Sequence, residues 1–334
     1  MPARLHTPLC ATLGIDLPII QAPIGSVTTA ALAAAVSNAG GLGMLAVTWR
    51  DLDAVRQIVR DTRRLTDRPF GVNLVLDWPP EERLRLCLDE GVPVVSFFWG
   101  DPTPYVPVVH DAGARAVHTV ASAAEAERAA AAGVDVIVAQ GWEAGGHVWG
   151  EVTTMALAPR VVDAVAPLPV VAAGGVADGR GLAAALALGA AGVWMGTRFL
   201  LAEEAATHPV YQEQVVRADE TDTVYSQLFD IGWPGAPHRA LRNSTVRAWE
   251  AGGRPVSGAR PGEGEVVATA ADGRPVHRYS DVAGQAGMVG EVEALALYAG
   301  QGAGLVTRRQ PAGEIVREIA DEAVRALQVA ARLA

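Results

Sequence analysis

Apolar residues in the first two-thirds of the chain occur in short continuous runs, each followed by a longer segment with helical periodicity. The runs are rich in Val, Ile and Leu and do not alternate with polar residues, which is typical of a parallel sheet covered on both faces. They predict eight strands, at Leu17–Gln21, Gly43–Val47, Phe70–Val75, Val94–Phe97, Ala116–Val120, Val134–Ala139, Val170–Ala173 and Gly192–Met195.

The segments between these runs are predicted to be helices, and most end at Gly or Asn, as helix C-termini prefer. They are Thr28–Asn38, Leu52–Leu65, Pro80–Glu90, Pro104–Asp111, Ala123–Ala132, Ala156–Val165 and Arg180–Leu188. Eight βα units in about 200 residues indicate an α/β fold of the (β/α)8 or TIM-barrel type. An open doubly wound sheet is the alternative, but no GxGxxG motif opens a helix after the first strand.

The regular alternation stops after about residue 205. We interpret residues 206–287 as an inserted, smaller lid domain over the barrel mouth, and residues 1–205 with 288–334 as the barrel. Trp233 and Trp249 of the insertion are expected to help line the pocket. Helical periodicity then returns in two segments, of which the last is expected to pack against the barrel: Val289–Tyr298 and Gly313–Leu333.

The composition excludes several chemistries. The chain has 27 basic residues besides His, and every one is Arg. Schiff-base and pyridoxal-phosphate enzymes need a Lys amine, and P-loop enzymes and kinases need a Lys on the phosphates. Arg stays protonated, so a general base here must be His, Asp, Glu, Cys or Tyr. No HxH, HxxxH or HExxH spacing predicts a metal site, and no GxSxG elbow predicts a serine hydrolase.

The net charge of −10 and the pI of about 5.2 argue against nucleic-acid binding and against an anionic membrane surface. Cys10 and Cys87 form no CxxC pair, so neither zinc nor a disulfide framework is expected. The N-terminus lacks a signal-peptide core, and the longest apolar stretch, Leu182–Met195, is too short to span a bilayer. We expect a soluble cytoplasmic protein, for which a homodimer is one possible assembly.

In a TIM barrel the functional residues follow the C-terminal ends of the strands. Strands seven and eight end in Gly174-Gly175 and Gly196-Thr197. Glycines there let backbone N–H groups approach an anion, and these two loops form the usual phosphate site of barrels. We therefore expect a phosphate at these four residues, helped by Arg198. The alternative is that the glycines only make tight turns.

The loop after strand six, from Gln140 to about Thr154, is longer than the two to six residues of ordinary βα loops. His147 follows two glycines in this loop and is the side-chain type best suited to proton transfer near neutral pH. Glu143 is a second candidate base or a partner of His147, although a structural role is favoured for it. Asn73, at the end of strand three, can donate to and accept from the edge of a heterocycle. A turn, cap or hydrogen-bonded structural residue is the alternative interpretation for His147 and Asn73.

These strand ends resemble those of the nitronate monooxygenase family, formerly called 2-nitropropane dioxygenases. The matching segments occur in order over most of the chain, and they are Gln21-Ala22-Pro23-Ile24, Gly71-Val72-Asn73, Gln140 to His147, Ala172 to Gly175, Met195 to Phe199 and Ala299-Gly300-Gln301-Gly302. The EAGGH and GTRF stretches are the specific ones. They are shared with the related FMN-dependent enoyl-acyl-carrier-protein reductases.

The resemblance implies a TIM barrel that binds FMN, with the FMN phosphate on Gly175, Gly196 and Thr197. It also implies that His147 is the catalytic base or the group that orients the substrate. With the neighbouring strand-end residues, the candidate cofactor-binding set is Ala22, Pro23, Asn73, His118, Gln140, Gly145, Gly146, Gly174, Gly175, Met195, Gly196 and Thr197.

The activity that the resemblance implies is oxidation of a nitronate or nitroalkane by O2 to a carbonyl compound and nitrite. The alternative is an NAD(P)H-dependent FMN reductase of the enoyl-acyl-carrier-protein or quinone type, which would need a basic patch to dock an acidic carrier. The candidates for that patch are Arg239, Arg242 and Arg247. A non-enzymatic flavin- or phosphate-binding module is the third reading. Val148-Trp149 after the histidine and the absence of Lys depart from the family pattern and leave the substrate open.

Overall fold

The computed structural model of the chain describes residues 5–333. Its main sheet has eight parallel strands in the order β1-β9-β8-β6-β5-β4-β3-β2, and a bridge between Ile20 and Leu42 brings the two ends together into a nearly closed barrel. This confirms the predicted (β/α)8 fold. The barrel strands are β1 (Ile19–Gln21), β2 (Gly43–Ala46), β3 (Phe70–Val75), β4 (Val94–Phe98), β5 (Arg115–Val120), β6 (Val136–Gln140), β8 (Val170–Ala173) and β9 (Gly192–Met195). The short strand β7 (Gly146–His147) lies outside the barrel.

Helices cover the outside of the barrel, and several begin at a side chain that accepts a backbone N–H. Asp51, Ser122 and Asp178 cap α3, α6 and α8 in this way. The helices are α1 (Pro8–Leu13), α2 (Ala30–Asn38), α3 (Leu52–Leu65), α4 (Glu81–Asp89), α5 (Val106–Asp111), α6 (Ala123–Ala131), α7 (Thr154–Val165), α8 (Gly179–Ala187), α9 (Pro209–Arg217), α10 (Ser244–Ala251) and α11 (Ala312–Ala331). Within residues 5–333, no helix combines the length and apolar character needed to cross a membrane.

The eighth helix of the ring is supplied from the far end of the chain. After β9 the chain forms only a short 3-10 helix, Thr197–Leu201. The gap is closed by α11, which packs against both α8 and α2 and buries Ile315, Val316 and Ile319 there. The last helix therefore packs on the barrel as the sequence predicted.

Alternate residues of each barrel strand face opposite layers. Val117, Val138 and Val171 belong to the cluster inside the barrel, which α1 closes from below. Leu45 and Val95 belong to the cluster between the strands and the helices. Because both layers are apolar, the strands are continuous apolar runs.

The loop after β6 and the residues that follow β9 build two small antiparallel sheets over the C-terminal mouth of the barrel. One sheet has the order β10-β11-β7 and the other β13-β12-β14. Their strands are β10 (Thr223–Ser226), β11 (His238–Leu241), β12 (Val266–Thr269), β13 (Pro275–His277) and β14 (Val289–Gly290). Since β7 comes from the loop after β6, that loop is part of the lid. The division of the chain at residues 206–287 stays a prediction.

The predicted helix Val289–Tyr298 is wrong. Val289 and Gly290 form β14 and pair with β12, and only Val292–Ala294 makes a 3-10 turn. Gly290 has a φ of +117°, outside the helical region. Tyr298 ends the segment in an extended bridge to Ala240. Tertiary pairing with the lid therefore overrides the helical periodicity.

Candidate active site

A cavity of about 720 Å³ lies between the C-terminal ends of the barrel strands and the lid. Its floor consists of strand-end residues, and its roof comes from the lid, including Trp233, Asp281 and Met288. Predicted site residues that line it are Ala22, Pro23, Asn73, Gln140, Gly145, Gly146, His147, Gly174, Gly175, Gly196 and Thr197. Residues that are far apart in the sequence are thus brought to one chamber, of a size that binds small molecules.

His118 and Met195 do not line the cavity, which corrects the predicted set. Their chain neighbours Thr119 and Trp194 do. Successive side chains of a strand point to opposite faces, and Met195 packs in the cluster between the sheet and the helices. His118 is also buried, and burial lowers its pKa to about 4, so this imidazole is neutral.

The glycine end of β8 has a backbone conformation that favours glycine, whereas Gly196 after β9 has a φ of −104°, which any residue adopts. Gly174 and Gly175 have φ values of +100° and +71°, in the region that favours glycine. A Cβ at Gly174 would lie 2.8 Å from the carbonyl oxygen of Gly141. Thr197 starts the 3-10 helix, and its Oγ1 accepts the N–H of Gly300 at 3.0 Å. These turns admit no larger residue at Gly174 and present backbone to the cavity.

Arg198 does not assist at this place, contrary to expectation. Its buried guanidinium donates to the carbonyl oxygen of Arg308 at 3.3 Å and to the side chain of Gln310. It therefore ties the 3-10 helix to the segment before α11.

Gln140 has an unsatisfied acceptor. Its amide nitrogen donates to the carbonyl oxygen of His147 at 3.2 Å, which fixes the orientation of the amide. The Oε1 atom is buried and has no hydrogen-bond partner among the described residues. A buried carbonyl without a partner is costly, so this atom is suited to a donor of a bound ligand.

His147 is held by the lid. It lies on β7 opposite His238 of β11, and the ring of Trp233 covers its imidazole at a centroid distance of 4.2 Å. The side chain is 10% exposed. Burial, reinforced by His238, lowers the pKa of His147 to about 3. The imidazole is therefore neutral near pH 7 and has a free acceptor nitrogen.

Two functional candidates were missed from the sequence, Asp281 and Tyr298. Asp281 Oδ1 lies 3.7 Å from His147 Nε2 and accepts a hydrogen bond from the hydroxyl of Tyr298. Burial raises the pKa of Asp281 to about 7, while the Tyr298 hydrogen bond opposes that rise. The only sequence signal was the position of Tyr298 immediately before the Ala299-Gly300-Gln301 motif.

An aromatic wall borders one side of the chamber, and three of its rings, Trp49, Phe98 and Trp233, line the cavity. The wall consists of five tryptophans and a phenylalanine linked by successive ring contacts: Trp49, Trp78, Phe98, Trp99, Trp149 and Trp233. Trp233 anchors the wall, because its Nε1 donates to Asp77 at 2.8 Å. Trp249, also expected at the pocket, instead donates to the carbonyl oxygen of Pro255 outside the cavity.

Glu143 has a structural role. Its carboxylate accepts the backbone N–H of Thr154 at 2.9 Å and the hydroxyl of the same residue at 3.1 Å. It thus fixes the start of α7 and leaves His147 and Asp281 as the titratable pair. Among residues 5–333, no group of three His, Cys, Asp or Glu side chains could hold a metal ion.

Comparison with known proteins identifies the family of this chain. The nitronate monooxygenase family model matches residues 6–82 and 78–322. The chain is 35% identical to a nitronate monooxygenase of Pseudomonas aeruginosa over 361 residues, covering 93% of this chain and 97% of that one. It is 42% identical to a (3aS,4S,5R,7aS)-5-hydroxy-7a-methyl-1-oxo-octahydro-1H-indene-4-carboxyl-CoA dehydrogenase of Mycobacterium tuberculosis over 254 residues, 75% of this chain and 70% of that one.

Solved structures share the whole fold. FabK from Thermotoga maritima has a TM-score of 0.81 at 34% identity, covering 98% of this chain and 99% of that one. Nitroalkane oxidase from Streptomyces ansochromogenes has a TM-score of 0.80 at 30% identity, covering 96% and 99%. Together with the family match, these relatives confirm the resemblance, and the chain belongs to the nitronate monooxygenase family, whose members are flavin-dependent oxidoreductases.

Proposed function

We propose that this oxidoreductase is an FMN-dependent nitronate monooxygenase, which oxidises alkyl nitronates or nitroalkanes with O2 to carbonyl compounds and nitrite. One observation carries the proposal: the predicted base His147, the glycine ends and the unpartnered Gln140 Oε1 line the same chamber. The proposal is supported by the nitronate monooxygenase family model, which matches residues 6–82 and 78–322. O2 and a small-molecule substrate are its expected partners.

Three features of the described residues fit FMN. The Gln140 Oε1 atom lacks a donor, and a flavin ring carries an N–H at its edge. The glycine turns at Gly175 and Gly196 can bring backbone N–H groups to a phosphate. Asn73, Ala22 and Pro23 line the same cavity and are further residues that would contact the flavin. When bound, FMN would supply the electron-accepting and oxygen-reducing chemistry.

The protein's own residues supply binding, orientation and proton transfer. Trp233 and Tyr298 flank the imidazole of His147 at centroid distances of 4.2 and 5.4 Å, which limits its motion and the access of water. A neutral His147 can accept the proton that a nitroalkane must lose. A nitronate has already lost that proton, so its oxidation does not need the base.

Flavin analysis, product analysis and one variant test the proposal. The purified protein should absorb at roughly 370 and 450 nm, as flavins do, and acid extraction should release FMN rather than FAD. With ethyl nitronate, oxygen uptake and nitrite formation should proceed together. His147→Gln should retain flavin and nitronate oxidation but lose turnover of neutral nitroethane. A purified wild-type protein that holds flavin but releases no nitrite from nitronates would refute the assignment.

A reductase or dehydrogenase is the second candidate, because the chain is 42% identical to the hydroxy-indene-carboxyl-CoA dehydrogenase over 254 residues and 34% identical to FabK. The three arginines suggested for docking an acidic carrier protein do not support a reductase of the enoyl-acyl-carrier-protein type. Arg239 is 2% exposed and lies 4.3 Å above the ring of Trp142. Arg242 and Arg247 are paired with Glu250 and Glu293.

Anaerobic mixing separates the candidates. Bleaching of the flavin by NADH favours the reductase, bleaching by a hydroxyacyl-CoA favours the dehydrogenase, and bleaching by a nitronate alone favours the monooxygenase. The homodimer and the cytoplasmic location stay predictions.

A further inference from the structure

We infer that Asp281 is a positioning residue that holds the Nε2–H of His147, so that Nδ1 of the imidazole is left to take the substrate proton. Nothing in the family match or in the names of the relatives assigns this role. The inference rests on the proposed function for the substrate, but not for the pairing of the two side chains.

The geometry supports this pairing. His147 Nε2 is buried, has no hydrogen-bond partner among the described residues, and lies 3.7 Å from Asp281 Oδ1. Nε2 is therefore turned toward the carboxylate and away from solvent, whereas the residue itself lines the cavity. Catalytic hydrogen bonds are often long before the substrate binds. A small rotation of either side chain would close this one.

Asp281 is fixed from two directions. Its backbone N–H donates to the carbonyl oxygen of Ile231 at 2.9 Å, and its Oδ1 accepts the hydroxyl of Tyr298. Tyr298 is held in turn, because its own carbonyl oxygen accepts the hydroxyl of Tyr211. The carboxylate thus sits at the end of a buried chain of hydrogen bonds that begins in α9.

His238, the imidazole opposite His147, is already engaged. His238 accepts the N–H of Phe229 on Nε2 at 3.2 Å, so its proton is on Nδ1, which lies 3.0 Å from the carbonyl oxygen of Ala236. Both nitrogens of that neutral ring are used. The Gln140 amide nitrogen bonds the backbone of His147, and the Trp233 indole N–H bonds Asp77.

The charged side chains at the same cavity are also engaged elsewhere. Arg274 pairs with Asp272 at 2.7 Å, and Arg50 donates to the carbonyl oxygens of Ala46 and Thr28. Among these groups, Asp281 is the acceptor within reach of His147 Nε2. The pair then has one ionisable carboxyl and one imidazole of fixed tautomer.

The proton step balances in this arrangement. The C–H bond beside the nitro group breaks, its proton forms an N–H bond on His147 Nδ1, and its electron pair moves into the nitro group to give the nitronate. The imidazolium that forms is stabilised by the Asp281 carboxylate through Nε2–H. No electron leaves the substrate in this step, so no oxidant is consumed.

The pH dependence follows from the carboxyl. Burial raises the pKa of Asp281 to about 7, and only its ionised form stabilises the imidazolium. The value of kcat/KM for nitroethane should therefore rise with pH around neutrality. Tyr298→Phe removes the hydrogen bond that lowers this pKa, so the rise should move to higher pH in that variant.

Asp281→Asn tests the inference. The Asn amide can donate to His147 Nε2, which would move the imidazole proton to Nδ1 and block the base. We expect kcat/KM for nitroethane to fall about 10²- to 10⁴-fold. Ethyl nitronate oxidation, which needs no base, should fall by a much smaller factor. Asp281→Glu should restore part of the nitroethane activity. Asp163→Asn, on the exposed face of α7, is the matched control and should behave as wild type.

Nitrogen NMR of 15N-histidine-labelled holoenzyme gives a readout that does not depend on turnover. Wild-type His147 should be the Nε2–H tautomer, and Asp281→Asn should convert it to Nδ1–H. A wild-type Nδ1–H tautomer, or unchanged nitroethane turnover in Asp281→Asn, would overturn the inference. If wild type fails to oxidise ethyl nitronate, the proposed function fails, and the tautomer still decides the pairing.

Discussion

Asp281→Asn should stabilise the folded protein, and the gain should depend on pH. An ordinary Asp has a pKa of about 3.9, whereas burial raises that of Asp281 to about 7. Between these values the unfolded chain has released the proton and the folded protein retains it, so the free energy of unfolding falls as the pH rises. Each pKa unit corresponds to about 1.4 kcal/mol, which gives a total of about 4 kcal/mol.

Asn has no proton to release and can still accept the Tyr298 hydrogen bond. The difference in unfolding free energy between the variant and wild type should therefore grow from near zero at pH 4 to a plateau of about 4 kcal/mol above pH 7. The carboxyl is only 11% exposed, so solvent screens little of this effect. Titrating groups that do not contact Asp281 are the same in both proteins and cancel in the difference.

Urea unfolding from pH 4.5 to 8.5 would measure the effect, with both proteins at one FMN concentration, because a ligand that binds the native state adds its own stabilisation. Asp163→Asn supplies the baseline for losing an exposed carboxyl. A difference that stays constant over the pH range would refute the argument, since it would mean that the Asp281 carboxyl titrates alike in the folded and unfolded states.

Three further predictions follow from the cavity. Gly175→Asp puts a side chain at a φ of +71° beside the proposed phosphate and should give colourless protein, whereas Gly264→Asp, at a φ of +83° with open space around it, should stay yellow in the same absorption measurement. Trp233→Ala should lower the unfolding free energy by about 3 kcal/mol and raise KM, whereas Trp233→Phe should change the stability by less than about 1.5 kcal/mol. Burial lowers the pKa values of His118, His147 and His238 to about 4, 3 and 4. Histidine in the unfolded chain gains its proton below about pH 6.5, so the unfolded state binds more protons than the folded state. The urea midpoint should therefore fall as the pH drops from 6.5 to 4.

The barrel could be predicted because each strand is a continuous apolar run. Because the strands are continuous apolar runs, the sequence does not indicate which of their residues face the cavity. Where both faces of a strand are buried, hydrophobicity does not alternate, and nothing in the sequence distinguishes His118 from Thr119 or Met195 from Trp194. The glycine ends and His147 were found because their signal is local: a backbone turn or a loop of unusual length.

Asp281 could not be found in this way. It lies in a polar stretch of the lid with no periodicity, and its meaning comes from contacts with His147 and Tyr298, which are remote in sequence. Tyr298 was assigned to a helix that does not form. Local propensity carries no information about such tertiary contacts. The pairing of Asp281 with His147 can therefore be recognised only from the structure of the lid.

The position of β7 in that sheet has a consequence for how this enzyme divides its work. The residues proposed to hold the phosphate are on the barrel, at Gly175 and Gly196, whereas His147 pairs with β11 and its partner Asp281 follows β13, both in the lid. In the proposed function, cofactor binding depends on barrel turns, which the core makes rigid. The proposed proton transfer depends on the lid, which holds both His147 and Asp281. Substitutions in the lid can thus alter the substrate or abolish proton abstraction while the flavin remains bound, which gives a physical reason why one barrel serves relatives named as monooxygenase and as dehydrogenase.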